Sequence, residues 1–405
     1  MCNKIEFYTV SNEIGGEYIH FSRIAKYFET NIKFFWDKYK QEYVLKPNSL
    51  LEKVILIISL SLFKIFKDKE FSKYFISFIN YFVPTFHNLN NSDNIKIVST
   101  GFMPVPKGKN IVAYVVTPPR IFTVDFEMYK NKIRNSSKLL YFIFLFAKKL
   151  HHTLYLKSFK RDNIKILSDS KNVKDRLVKF YGINSTVLYP SIDVLKFKNV
   201  SYQKYFLYLS RFEEYKRQDF AIKAFEMFYE KNKTFKLILA GPYPKDFINL
   251  NYLRKIQDYV KERYLPVEFK FNLSESEKID IYSNSYSCLF CTKDEDFGLV
   301  PLEAMASSKP IISVNEGGPK ETIIDGITGF LVNNEKEMAE RMEYLAQNPD
   351  IVKKMGNAGR EHVLKNFDDN VFVENLKKIL EERQTMSRPE QAALAKKILR
   401  KTLKP

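Results

Sequence analysis

The sequence predicts an α/β protein built as two doubly wound, parallel-sheet domains that face a central cleft. Three observations carry this expectation. The chain has 405 residues, more than one hydrophobic core usually serves. Short apolar runs of strand length alternate with helix-period segments through the second half. Those runs end repeatedly in loops rich in glycine or charge, where ligands of such sheets bind. Hydrophobic residues at 45% can fill two cores, which excludes a disordered chain.

The elements follow in order. Ile5 to Val10 reads as the first strand, Ser11 to Gly16 as a loop ending in Gly15-Gly16, and Glu17 to Phe28 as a helix. Further strands are expected at Ile95–Ser99, Ile111–Val116, Ile164–Leu167 and Thr186–Tyr189, while the stretch from 31 to 90 looks mainly helical. A polar segment from Asp193 to Lys204 interrupts the apolar rhythm and marks a linker. Beyond it come strand Phe206–Leu209, helix Asp219–Lys231, and strand Phe235–Ala240 closed by Gly241-Pro242. Helix Leu253–Tyr264, strand Val267–Phe271 and helix Ser274–Ser283 follow. Strand Tyr286–Cys291, helix Leu299–Ser307 and strand Pro310–Ser313 continue the alternation. The expected domains are residues 1–197 and 198–370. Residues 371–405 form C-terminal helices, Val371–Leu380 and Pro389–Leu403, that pack back toward the first domain.

The net charge of +18 is unevenly placed. Residues 1–200 hold 32 Lys and Arg against 16 Asp and Glu, and the remainder 33 against 31. A basic first half beside a nearly neutral second suggests different partners. An anionic membrane surface or an anionic acceptor fits the first half, as does a plain solvated surface. No zinc-ligand spacing or RNA-recognition signature supports specific nucleic-acid binding. The three cysteines, Cys2, Cys288 and Cys291, cannot form a disulfide framework and fit a reducing compartment. Cys288 and Cys291 have C-x-x-C spacing within a strand, where residues three apart face opposite sides, so a redox pair is not expected. No signal-peptide pattern is visible, and the apolar runs Val54–Phe63 and Leu139–Ala147 are too short to span a bilayer. Each reads as a core helix or as a surface resting on lipid headgroups.

Three strand-end loops carry candidate chemistry. In Asp294-Glu295-Asp296-Phe297-Gly298-Leu299-Val300-Pro301-Leu302-Glu303, Pro301 suits the first turn of a helix. The amides of Gly298, Leu299 and Val300 then face outward, an arrangement suited to a phosphate. Glu295 before this cradle and Glu303 within the helix can accept sugar hydroxyls on either side of a diphosphate. The second loop offers Arg211 and Lys216, fixed cations for the charge that builds on a departing phosphate. Taken alone, it is an ordinary charged loop. The third, Asn315-Glu316-Gly317-Gly318-Pro319-Lys320-Glu321, places Gly317 and Gly318 where a backbone can approach a ligand closely. Asp296-Phe297-Gly298 also invites a kinase reading, which fails because no His-Arg-Asp catalytic loop precedes it.

In this order and at these strand ends, the three segments resemble glycosyltransferase family 4, of the GT-B fold with two Rossmann-like domains. The likeness runs from about 164 to 368 and includes Asp325-Gly326-Ile327-Thr328-Gly329-Phe330. The resemblance implies that Glu295 binds hydroxyls of the donor sugar and Glu303 the nucleotide ribose. It implies that Arg211 and Lys216 clamp the diphosphate and that neither metal nor cofactor is required. It further implies a retaining transfer from a nucleotide diphosphate sugar, GDP- or UDP-linked. Asp294 to Gly298 looks most like mannose-transferring members. Gly15-Gly16 sits where the family has a Gly-rich loop near the donor phosphate. Thr117-Pro118-Pro119-Arg120 resembles a His-Thr-Pro-x-Arg pattern of one branch, with Val116 in place of the His, and makes Arg120 a further candidate.

The expected function is a cytoplasmic enzyme that adds a hexose, mannose favoured, to a glycan or lipid-linked glycan. Its basic half would rest peripherally on the cytoplasmic membrane face. A soluble glucosyltransferase acting on a small molecule or glucan is the enzymatic alternative. A non-catalytic basic binding protein derived from a transferase is the alternative of another class.

Overall fold

The computed structural model describes residues 4–11, 16–37, 42–43, 89, 92–101, 104–136, 138–161 and 164–385. Within them the chain forms two sheets. The first is built from β1 (Ile5–Ser11), β2 (Ile32–Asp37), β3 (Glu42–Tyr43), β4 (Ile95–Thr100), β5 (Ile111–Val115), β6 (Lys165–Ser168) and β7 (Thr186–Val187). Its spatial order is β3-β2-β1-β4-β5-β6-β7, parallel except for the β2–β3 pair. Helices α1 (Gly16–Tyr27), α2 (Phe126–Ser136), α3 (Lys138–Phe159) and α4 (Lys171–Tyr181) belong to this half. The expectation of mainly helix from 31 to 90 is corrected at Ile32–Asp37 and Glu42–Tyr43, which are strands. Ile32, Phe34 and Trp36 recur with period two, and Ile32 pairs in register with Phe7. Residues 44–88, which include Val54–Phe63, and the tail Pro389–Leu403 lie outside the described residues.

The second sheet has the order β10-β9-β8-β11-β12-β13 and is wholly parallel. Its strands are β8 (Tyr205–Leu209), β9 (Lys236–Gly241), β10 (Val267–Phe271), β11 (Ser287–Phe290), β12 (Ile311–Val314) and β13 (Gly329–Val332). Around them lie α5 (Gln218–Lys231), α6 (Phe247–Glu262), α7 (Glu275–Asn284), α8 (Leu299–Ala306), α9 (Pro319–Thr322), α10 (Glu335–Gln347) and α11 (Pro349–Asn366). The inner strands β8, β11 and β12 are almost wholly buried, as helices on both faces require of a central parallel strand. Edge strand β10 alternates instead, exposing Glu268 and Lys270, which discourages pairing with another chain. Cys288 and Cys291 are both buried and free, and they touch different groups, the Ser285 hydroxyl and the Met338 sulfur.

The chain passes twice between the lobes. Ile192, Val194 and Phe197 already sit in the second core, so the first crossing lies at Tyr189–Ser191, a few residues ahead of 197. The return is at Phe367–Asp369, where Ile192 bridges to Asp368. Helix α12 (Asp369–Thr385) then buries Phe372, Val373, Leu376 and Leu380 against Phe7, Phe21 and Ile24 of the first domain. At this double crossing Ser191 Oγ donates to Asp369 (2.6 Å), and Arg23 donates to the Ser191 carbonyl (2.7 Å). His20, buried against Phe372, belongs to the same cluster.

Candidate active site between the two lobes

In a doubly wound sheet, ligands lie beyond the C-terminal strand ends where the order reverses. In the second sheet that point falls between β8 and β11. The loop after β8 carries Arg211 and Lys216, and the loop after β11 carries Glu295. Lys216 Nζ lies 2.7 Å from Glu295 Oε2. The Lys293 amide donates to the Tyr215 carbonyl at 3.0 Å, and the Tyr208 hydroxyl donates to the Lys216 carbonyl. Arg217 and Asp294, one beside each of the paired residues, adopt left-handed backbone (φ 54° and 49°). Held conformations of that kind cluster where a loop must aim a side chain. Arg211 is 59% exposed and pairs within its own loop, with Glu213 (3.0 Å) and the Tyr215 hydroxyl (2.6 Å).

Helix α8 opens on Gly298, at φ 90°, and Pro301 occupies its first turn. Among the described residues, no protein group accepts from the amides of Leu299 and Val300. One turn on, Glu303 accepts from Lys278 Nζ and from the Tyr282 hydroxyl, each at 3.0 Å. Burial opposes the charge on Lys278, but Glu303 and Glu275 outweigh it and raise its pKa. Burial and Glu303 together hold the Tyr282 hydroxyl protonated, far above the usual phenol range. Both partners therefore remain donors, and Glu303 is fixed as an acceptor.

The third loop braces the first, which carries Glu295. A Cβ on Gly317 (φ 62°) would stand 2.3 Å from the Glu295 carbonyl oxygen, and one on Gly318 would stand 2.4 Å from Phe297 Cα. The Gly318 amide donates to the Glu295 carbonyl at 2.8 Å. The two glycines thus pack against the backbone that presents Glu295. Glu316 ties the first and second loops, accepting from Arg217 (2.9 Å) and from the Asp294 amide (3.2 Å).

From the first domain, Arg120 donates to the Asp294 carbonyl (2.8 Å) and pairs with Asp125 (2.9 Å). It therefore braces the Glu295 loop across the cleft. Val116, in the position where the resembling branch has His, packs against the apolar core of the first domain. Gly16 begins α1, and Gly15 lies outside the described residues. Four groups of this region escaped the sequence reading: Arg176, Asn172, Lys278 and Tyr282. Arg176 and Asn172 sit on the amphipathic helix α4, where a polar residue looks like any solvated one, and Lys278 and Tyr282 lie on α7, whose sequence has no clear apolar face to set them apart. Only the burial of Arg176 at a core-facing position could have signalled it.

Residues 191–362 match the family described as glycosyl transferases group 1. The chain is 32% identical over 223 residues to the human alpha-1,3/1,6-mannosyltransferase ALG2, covering 50% of this chain and 54% of that one. The Dictyostelium discoideum ALG2 is also 32% identical, over 191 residues, 44% of this chain and 46% of that one. The chain spans about half the length of these curated relatives. Trehalose synthase of Pyrococcus horikoshii is 30% identical over 207 residues, 45% of this chain and 49% of that one. Among solved structures, Anabaena Alr3699/HepE in complex with UDP and glucose superposes with a TM-score of 0.64 at 13% identity. That superposition covers 94% of this chain and 99% of that one. A glycosyltransferase of Rickettsia africae gives 0.62 at 17%, covering 96% and 100%. The fold is GT-B, as the group 1 motifs imply.

Proposed function

We propose that this chain is a retaining, metal-independent hexosyltransferase that moves mannose from a nucleotide diphosphate sugar, GDP-linked in the favoured case, to a lipid-linked glycan. The observation that carries the reading is the meeting of Lys216 and Glu295 at the switch point of the second sheet, beside the free amides of α8. A diphosphate seated on the Leu299 and Val300 amides would bring its anomeric carbon toward Glu295 and its ribose toward Glu303. In the transfer the bond from C1 to the β-phosphate oxygen breaks, and the acceptor oxygen bonds C1 on the same face. The acceptor proton passes to the departing phosphate, whose charge Lys216 and Arg211 stabilise. A soluble glucosyltransferase is the second reading, favoured by the likeness to trehalose synthase.

The membrane part of the proposal rests on α3. Phe142, Phe146 and Leu150 recur every fourth residue and are 67%, 68% and 41% exposed. At 100° per residue, exposed Lys138, Lys149 and Lys157 fall on the same stripe. Apolar rings flanked by cations suit the headgroup layer of an anionic leaflet. Among the described residues no helix is long and apolar enough to cross a membrane.

Release of GDP from GDP-mannose in the presence of a lipid-linked glycan tests the catalytic reading. It should be abolished in Glu295→Ala and in Arg211→Ala, and full release in both variants removes the donor-site assignment. A screen of thermal stabilisation by GDP-, UDP- and ADP-sugars identifies the base. For the membrane reading, pelleting with phosphatidylglycerol vesicles should weaken as salt rises and fall in a Phe142→Ser, Phe146→Ser variant. Equal pelleting of that variant and the wild type refutes the role of α3.

A further inference from the structure

The segment Asp294–Asp296, which presents Glu295, is gripped from the opposite domain at every residue. Arg176, on α4 of the first domain and only 5% exposed, pairs with both carboxylates, Asp294 at 2.8 Å and Asp296. Its guanidinium also donates to the Asp294 carbonyl at 2.8 Å. The Thr117 hydroxyl donates to the other Asp296 oxygen at 2.6 Å. The Ser170 hydroxyl takes the Asp296 carbonyl (2.8 Å), and the Asn172 side chain takes the Glu295 carbonyl (2.9 Å). In return, Glu321 of the third loop accepts from the Lys171 and Asn172 amides, at 2.8 and 2.7 Å, at the start of α4. Planar, two-headed recognition of carboxylates is what arginine does and lysine cannot.

We propose that Arg176 is a positioning residue, which fixes the Glu295 loop only while the two lobes are together and so couples domain closure to assembly of the donor site. The inference rests on the reading that Glu295 faces the donor sugar. Separating the lobes removes all of these contacts at once and leaves the loop to its own domain's contacts, chiefly Lys216 on Glu295, Glu316 on the Asp294 amide and the Gly317–Gly318 backbone. Placement matters because an error of about 1 Å at a reacting centre can cost on the order of a hundredfold in rate.

The ionisation of Asp296 supplies an independent readout. Burial, helped by the charge of Glu295, pushes its carboxyl up to about 6, against the pull of Arg176, Thr117 and Arg120. Asp169, buried beside it and itself raised by burial and by Asp296, adds a further acidic neighbour. Protonating Asp296 would unload Arg176, so turnover should fall as pH drops through this range.

The test compares wild type, Arg176→Ala, Arg176→Lys and Asp296→Asn by three measurements. In Arg176→Ala, hydrogen exchange of the 294–298 amides should accelerate at least about tenfold. Its kcat should fall about a hundredfold with donor KM changed far less. The acid limb of its pH–rate profile should flatten, because no guanidinium is left for the protonation of Asp296 to unload. Arg176→Lys should recover only part of the rate. Asp296→Asn should flatten the acid limb, which keeps the proposal testable if Arg176→Ala folds poorly. Unchanged exchange in 294–298 overturns the proposal. Accelerated exchange with no turnover in any protein, wild type included, would leave the latch standing and refute the transferase reading instead.

Discussion

Gly317→Ala and Gly326→Ala offer a matched pair, because both glycines lie in the left-handed region, at φ 62° and 73°. A side chain there costs roughly 1–2 kcal/mol on conformational grounds alone. At Gly326 nothing lies within 4 Å of the added Cβ, so that is the whole cost. The expected loss is a few degrees in Tm, at about 2–4 °C per kcal/mol for a domain of this size, with turnover unchanged. At Gly317 the Cβ would meet the Glu295 carbonyl oxygen at 2.3 Å and the Glu295 amide nitrogen at 2.7 Å. These are backbone atoms that no rotamer change can move, so the Glu295 loop itself must shift by about an ångström. Gly317→Ala should therefore lose more stability than Gly326→Ala and about a hundredfold in turnover. Thermal unfolding and nucleoside diphosphate release on the two variants check this. Equal turnover in both would refute the claim that the Gly317 backbone sets the position of Glu295.

Other consequences follow from the buried titratable groups. Burial, then Arg23, lowers the His20 pKa to about 3, against the smaller opposing pull of Asp369 and the Ser191 carbonyl. Between pH 6.5 and 3 the unfolded chain takes up a proton that the folded chain refuses, so stability falls as pH drops. Thermal melts from pH 7 to 5 should show a shallower fall in His20→Gln, and identical slopes would contradict the assignment. Burial pushes the Cys288 thiol up to about 12 and raises Cys291 strongly, so neither should be alkylated at pH 8 in the native protein. Mass spectrometry after iodoacetamide treatment reads this directly, and modification of either without denaturant would count against the packing. Lys278→Met should weaken donor binding by freeing Glu303 from its fixed orientation, which a donor titration would register as a raised Kd.

The sequence made the second domain legible because its signals are local. Apolar runs such as Tyr205–Leu209 and Ser287–Phe290 are strands buried on both faces, and the charged or glycine-bearing loops follow them directly. Glu295, Lys216 and Gly317 could be found for that reason. The grip on the site could not. Arg176 lies 118 residues from Asp294 along the chain and 120 from Asp296, and on a helical wheel it is one more charge on α4. Glu321 looked like part of a turn, yet it accepts from the amides that open α4. Arg120 was legible as a functional arginine, but its target, a main-chain carbonyl on the other lobe, is set by tertiary structure alone. The strand at Ile32–Asp37 was missed because its alternation spans only six residues within a stretch rich in apolar residues.

Calorimetric titration of GDP into the wild type, Lys216→Ala and Glu303→Ala addresses the donor site most directly. Convergence of these loops on one nucleotide diphosphate predicts that each substitution weakens binding at least tenfold while the fold stays intact. Undiminished affinity in both variants would mean that the crevice between β8 and β11 is not where the nucleotide binds.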